Sequence, residues 1–336
     1  MIQSKQVTIY DVAKKAGVSP TTVSRVLNSP EKVAEKKRQL VLDVIKELNF
    51  VPKADAVINA RKSYKKIGVI APFFTQPSFM ERLRGITEVL EKEHYELVIY
   101  AIDTTEDMNN YIASLVLQNK VDGLILLCVR LNEQMQELLK GAAFPVCFVE
   151  QSADDFDCIV IDNEKGGKMI GEYFYKLGCR RPGFIGEKSM LDYAVHATED
   201  RFKGYQDYFL SKGISINSSD IWIGGFPEKK LDEGILGFLD QPTLPDCVFC
   251  SSDVIAARLL YMLGQKGISC PSKIKVIGFD DIDISQYLGL SSVNQHLDDS
   301  GREAAQLILE KIKTPDKSAV SIKLPLHIVE RMTTSI

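Results

Sequence analysis

Apolar residues recur along the chain in two rhythms, and the change comes near residue 66. Between Thr8 and Leu48 they return every three or four positions in three short runs, the spacing of one helix face. The runs are Ile9, Val12, Ala13 and Ala16; Val23, Val26 and Leu27; and Leu40, Val41, Val44, Ile45 and Leu48. Thr8 is placed to cap the first helix and Gly17 to end it. Ser19 caps the second, with Pro20 in its first position, where a missing N–H costs nothing. Thr21, Ser24, Arg25 and Asn28 share the face opposite the valines. Two helices joined by a tight turn around a glycine form a helix-turn-helix.

From Ile67 onward, short β-rich runs alternate with longer helical ones, the pattern of a parallel α/β architecture. The alternation repeats at an offset of roughly 115 to 130 residues, the sign of a duplicated unit. IGVIAP returns as PGFIGE, ERLRGITEVL as DRFKGYQDYF, VDGLILL as PDCVFCS, and FPVCFVE as IKVIGFD. Two such lobes in tandem leave a cleft at the carboxyl ends of their strands, where open α/β sheets bind ligands. The predicted fold class is therefore multidomain, an all-α helix-turn-helix domain followed by a two-lobed α/β body with parallel sheets. Residues 50–66, with a proline and few large apolar side chains, read as the linker between them.

Charge separates the same two regions. Residues 1–66 hold 14 Lys and Arg against 6 Asp and Glu, a net of +8, so the rest of the chain carries −12 to reach the overall −4. A basic head on an acidic body suits a polyanion-binding module joined to something else. No run approaches the ~20 apolar residues of a membrane helix, and MIQSKQVTIYD has no apolar signal core, so a cytoplasmic protein is expected. The seven cysteines are scattered, and Cys247 and Cys250, three apart on a strand, point to opposite faces. They read as buried reduced thiols, with no metal site expected. No GxxxxGK[ST], HExxH or GxSxG occurs, and Gly166, Gly167 and Gly171 lie in a helical run that reads as helix packing. No catalytic residues and no cofactor are expected.

TIYDVAKKAGVSPTTVSRVLN with KELNFVP, then VDGLIL, DRFKGY, SSDVIAAR, VIGFDD and SSVNQ, resemble the LacI/GalR family of bacterial transcription regulators across nearly the whole chain. The resemblance implies a helix-turn-helix domain over 1–49, a hinge over 50–66, and a periplasmic-binding-protein-like body. Its N-terminal lobe would span 67–164 and 295–321, and its C-terminal lobe 165–294 and 322–336. It further implies a double-stranded, palindromic DNA operator, a homodimer, and a small-molecule effector. Pro20, Thr21 and Arg25 match the family's base-reading positions, and a recognition helix places such N-terminal residues at base edges. Arg25 can donate twice to a guanine. Thr8, Ser19, Thr22, Ser24 and Asn28 are expected to contact phosphates. In the hinge Ala56 is retained, but Asn59 stands where the family has a leucine wedge, with Ile58 the nearest apolar residue. Wedges that unstack base steps are apolar, so a weaker operator bend is expected. Ala34 stands where a Ser or Thr usually caps the third helix.

In the cleft, Arg201 aligns with the family's ligand-holding arginine. Phe79 and Phe226 match aromatic positions that stack on a sugar ring, and core burial is the other reading of each. Ser252, Asp253 and Asp280 follow apolar runs and so sit at strand carboxyl ends; Glu150 and Gln295 complete the set. Acidic acceptors, an arginine and aromatic faces favour a carbohydrate, because an apolar ligand would leave buried polar groups unpaired; Arg201 leaves an acidic or phosphorylated sugar open, and a nucleobase stays open as well. The alternative is the same fold controlled by a partner protein, such as a phosphocarrier.

Overall fold

The computed structural model describes residues 7–28, 33–48, 50, 63–188, 191–225 and 228–335. In the head, α1 (Ile9–Ala16), α2 (Pro20–Asn28) and α3 (Glu35–Glu47) bury Val12, Ala13, Ala16, Val23, Val26, Val41, Val44 and Ile45 against one another, with Phe50 closing the cluster. Leu40 departs from the expected apolar face of α3 and is 48% exposed. Val41, Val44 and Ile45 already fill the space facing α1 and α2. No side chain caps α3 at Ala34, as its residue type dictates.

The body holds two six-stranded sheets. The first runs β11 (Ser321–Lys323), β5 (Asp157–Val160), β4 (Val146–Val149), β3 (Gly123–Leu127), β1 (Lys66–Ala71), β2 (Glu96–Ala101). The second runs β12 (His327–Val329), β10 (Ser291–Asn294), β9 (Lys275–Asp280), β8 (Cys247–Cys250), β6 (Pro182–Glu187), β7 (Ile221–Gly224). Substituting each strand of the first sheet by its counterpart reproduces the order of the second, which is the structural form of the sequence repeat. β11 pairs with β5, so the first sheet takes in residues 322 and 323 beyond the 321 boundary set from sequence.

Alternate residues along each strand feed two cores. In the first lobe one face meets α4 (Pro77–Lys92) and α12 (Leu297–Lys313), and the other meets α5 (Thr105–Gln118) and α6 (Glu133–Lys140). In the second, α7 (Asn163–Lys176) and α8 (Ala197–Ser211) cover one face, α9 (Glu228–Leu239) and α10 (Asp253–Gln265) the other. The short α11 (Asp283–Tyr287) follows β9. Cys247 lies in one core of this lobe and Cys250 in the other, as their spacing requires. Among the described residues no helix is long and apolar enough to cross a membrane.

Candidate functional site

The residues singled out by sequence gather in two places. On the head, Gly17 takes a left-handed conformation (φ 63°), which strains residues with a Cβ. Val18 N–H donates back to Ala13 O at 3.0 Å and closes α1. Ser19 Oγ then accepts from Thr22 N–H (3.1 Å) and shares a hydrogen bond with Thr22 Oγ1 (2.9 Å), so α2 starts capped. With Val23 and Val26 turned inward, Thr21 and Arg25 stand exposed on the opposite face, and Pro20, Thr22 and Ser24 are half-buried around them. Thr8 has a structural task as well: its hydroxyl and Asp11 form a reciprocal cap on α1. The side chain of Asn28 and the hinge residues Ala56, Ile58 and Asn59 lie outside the described residues.

The second place is a cavity of about 190 Å³ between the lobes. Its walls come from strand carboxyl ends in both sheets and from the first turns of α4, α8 and α10. Val129 and Ala194 form a bridge between the lobes on one side, reinforced by Arg130 N–H donating to Tyr193 O at 2.7 Å. On the other, Asp283 N–H donates to the Glu81 carboxylate at 3.3 Å.

Phe79, Glu150, Arg201, Ser252, Asp280 and Gln295 all line this cavity. Phe79 is wall and core at once, 9% exposed, packed in the first lobe and edge-on to Phe73. Asp253 does not line it. Its Oδ1 accepts from Ser292 Oγ (2.6 Å) and its Oδ2 from Ile282 N–H (3.0 Å), so it fastens α10 to the loop after β9. A first-turn side chain on α10 reaches that loop more directly than the cleft. Phe226 lies outside the described residues.

Arg201 is held on three sides. Its Nε donates to Asn163 Oδ1 (2.8 Å), its Nη1 donates to Ser251 O (2.7 Å), and the guanidinium stacks 3.7 Å over Phe279. Asp280 Oδ1 sits 3.6 Å from the same Nη1 and accepts from Gln295 Nε2. Glycines set this geometry: a Cβ on Gly167 would lie 1.8 Å from Arg201 O, and one on Gly204 equally close to Glu164 O. The run containing Gly167 is thus a helix contact, as its pattern suggested.

Sequence reading missed Arg82 and Glu187. Arg82 forms a buried ion pair with Glu150, the side chains 3% and 5% exposed. The signal was a charged residue three positions after Phe79 on the apolar face of α4. Glu187 ends β6 as Asp280 ends β9, so the rule that found Asp280 reaches it too.

Four cavity residues, Phe73, Cys128, Glu150 and Asp280, hold positive φ (49°, 54°, 64° and 117°). Such strain persists where surrounding structure enforces it, commonly at binding sites. Burial pushes the Asp280 carboxyl up to about 6, opposed by Arg201 and Arg82. Burial and then Asp280 push Glu187 up to about 7 and Asp253 to about 8. Two buried polar atoms of the walls, Arg82 Nε and Gln295 Oε1, have no hydrogen-bond partner among the described residues.

Residues 8–53 match the family profile described as bacterial regulatory proteins, lacI family, and residues 172–334 match a periplasmic binding protein-like domain. The HTH-type transcriptional repressor PurR of Vibrio atlanticus is 30% identical over 335 residues, covering 97% of this chain and 98% of that protein. A Lacl-family transcriptional regulator from Silicibacter pomeroyi superposes with a TM-score of 0.73 at 28% identity, over 98% of this chain and 100% of the other. A periplasmic binding protein/LacI transcriptional regulator from Alkaliphilus metalliredigens, complexed with D-xylulofuranose, gives 0.67 at 25% identity, over 81% and 100%.

Proposed function

The chain belongs to the LacI family of bacterial regulatory proteins as a DNA-binding transcriptional repressor, and we propose that a hydroxyl-rich effector of the sugar class, held between the lobes, sets its grip on the operator. One observation carries the choice. The cavity wall sets carboxylate acceptors at Glu187 and Asp280 beside the guanidinium donors of Arg201, and leaving buried polar groups unpaired costs about 1–3 kcal/mol each. A ring bearing several hydroxyls answers both, because each hydroxyl donates and accepts. Its C–H faces suit the aromatic wall of Phe73 and Phe79.

In this reading Pro20, Thr21 and Arg25 read bases, while Thr8, Ser19, Thr22, Ser24 and Asn28 fix the phosphates. Ala56, Ile58 and Asn59 form the hinge. A single helix-turn-helix reads few bases, so a two-fold operator and a homodimer follow. Exposed Met80, Tyr261 and Ile284 line one surface groove and give a second copy an apolar face. Sedimentation as a monomer at micromolar concentration would contradict the dimer.

The relatives named PurR support a second reading, a purine effector. A thermal-shift panel separates the two, with neutral pentoses, hexoses and disaccharides in one arm and hypoxanthine and guanine in the other. A ligand at ~100 times its Kd adds about 2.7 kcal/mol, or roughly 5–10 °C for a body of this size. A shift with sugars that is lost in Arg201→Ala supports the first reading, and shifts confined to purines replace it with the second. With no shift in either arm and DNA binding intact, control would pass to a partner protein such as a phosphocarrier.

A further inference from the structure

The charges around the cavity do not balance once each is followed to its partner. Glu150 is taken by Arg82 and Arg258 by Asp232 (2.8 Å), while Arg201 is committed to Asn163 and Ser251. Glu199 is half-exposed and faces His196 at 3.8 Å. Asp280 uses Oδ1 for both Gln295 and Arg201. Glu187, on the cavity wall at the end of β6, has no side-chain hydrogen bond or ion pair among the described residues. Its backbone is pinned by N–H donation to Ser251 Oγ at 3.3 Å. Glu187 thus faces the cavity without a side-chain partner among the described residues, beside Asp280, whose Oδ1 lies 3.6 Å from Arg201 Nη1.

We propose that the effector carries a protonated amine, an amino sugar or a similar amino-polyol, and that Glu187 and Asp280 receive its ammonium group. The inference rests on the reading of the cleft as a sugar site and narrows the ligand within it. An ammonium has three protons to donate, and the Glu187 and Asp280 carboxylates, both on the cavity wall, supply two acceptors for them. A neutral hydroxyl donates once and leaves one of them idle. A phosphate or carboxylate would meet both carboxyls. Burial holds the empty Glu187 carboxyl up to about 7, so an ammonium ligand displaces its proton and a hydroxyl ligand does not.

The test is calorimetric titration of the full chain with matched pairs: glucosamine against glucose, galactosamine against galactose, mannosamine against mannose. The expected result is an amine preference of tenfold or more in at least one pair, with affinity falling roughly five- to tenfold from pH 7.5 to pH 6. One proton should be released at pH 6, read by repeating the titration in buffers of different ionisation heat. Glu187→Gln should bring the amine-to-hydroxyl ratio close to one, with thermal unfolding verifying that the variant is folded. The proton count on the unaltered protein stands without the variant. Equal or stronger binding of the hydroxyl members overturns the inference and leaves the sugar reading standing. Binding of neither class overturns both.

Discussion

Replacing Gly167 by alanine asks whether a single methyl group, remote from any ligand, can disable the cleft. The added Cβ would lie 1.8 Å from Arg201 O, 2.8 Å from its carbonyl carbon and 2.9 Å from Tyr205 N. All three are backbone atoms, so no rotamer change relieves the clash and α7 and α8 must separate. Restoring carbon-to-oxygen contact near 3.4 Å requires a shift of about 1.5 Å, and overpacking of this kind costs about 1–3 kcal/mol. The upper end applies, because Gly204 packs as closely on Glu164 and both contacts open together. Arg201 rides on the displaced segment. Its bonds to Asn163 and Ser251, at 2.8 and 2.7 Å, cannot survive such a shift, and charged hydrogen bonds are worth about 1.5–3 kcal/mol each. Urea unfolding should therefore show a loss of about 3 kcal/mol, and effector affinity should fall by a factor of ten to a hundred or so. Gly237 and Gly264 are the controls: an added Cβ meets nothing within 4 Å at either, and both lie in helices, where alanine is favoured by about 0.5–1 kcal/mol. Those variants should be as stable as the parent or more so. If Gly167→Ala unfolds like Gly237→Ala and binds effector normally, the account of how Arg201 is placed fails.

Three further perturbations follow from the same geometry. Arg82→Leu leaves Glu150 buried and uncompensated, which should cost about 3–5 kcal/mol, whereas Arg82→Met with Glu150→Leu should recover most of it; a single-variant loss under 1 kcal/mol by urea unfolding would mean the pair is solvated. Asp253, Glu187 and Asp280 all have carboxyls raised by burial, so the folded chain keeps protons that the unfolded chain has lost; that stability is complete below about pH 4 and drains away as pH rises toward 8, by at most about 1.4 kcal/mol per unit for each group. Urea midpoints should fall from pH 5 to pH 8 and flatten in Asp253→Asn, and a midpoint that rises over that range refutes the assignment. Arg25→Ala should cost about 1–3 kcal/mol on a selected operator and relax the preference at one base pair, measured by anisotropy against a set of single-base variants; a uniform loss across the set would make Arg25 a phosphate contact.

The head was legible because its signals are local. A cap at Ser19, a left-handed glycine at 17 and valines at helical spacing are settled within a few residues, and the structure forms α1 and α2 on them. Leu40 escaped the pattern because periodicity names a face without saying how much of it a small three-helix core can cover. In the body, strand carboxyl ends found Ser252 and Asp280 on the cavity wall, but the same rule admitted Asp253, whose oxygens turn to Ser292 and Ile282 instead. Position along a strand fixes where a side chain starts, and the fold decides which way it turns. Arg82 was hidden for a related reason: on an apolar helix face an arginine is unremarkable until its carboxylate arrives from a strand 68 residues later.

The cleft's construction bears on how an effector is felt at the head. Arg82 and Glu150 belong to the first lobe, Arg201, Glu187 and Asp280 to the second, and Gln295 lies where the chain crosses from β10 to α12. A ligand that touches Phe79 in the first lobe and Glu187 or Asp280 in the second makes contacts that exist only while the lobes hold their present arrangement. Its differential affinity is then the whole of its leverage, since a ligand biases an equilibrium only by what it gains in one state over the other. Two hydrogen bonds at about 1 kcal/mol each fall within the 1–3 kcal/mol typical of allosteric coupling. The bridge between Val129 and Ala194 joins the same two lobes, so on the proposed reading its loss and the loss of ligand should shift the same equilibrium.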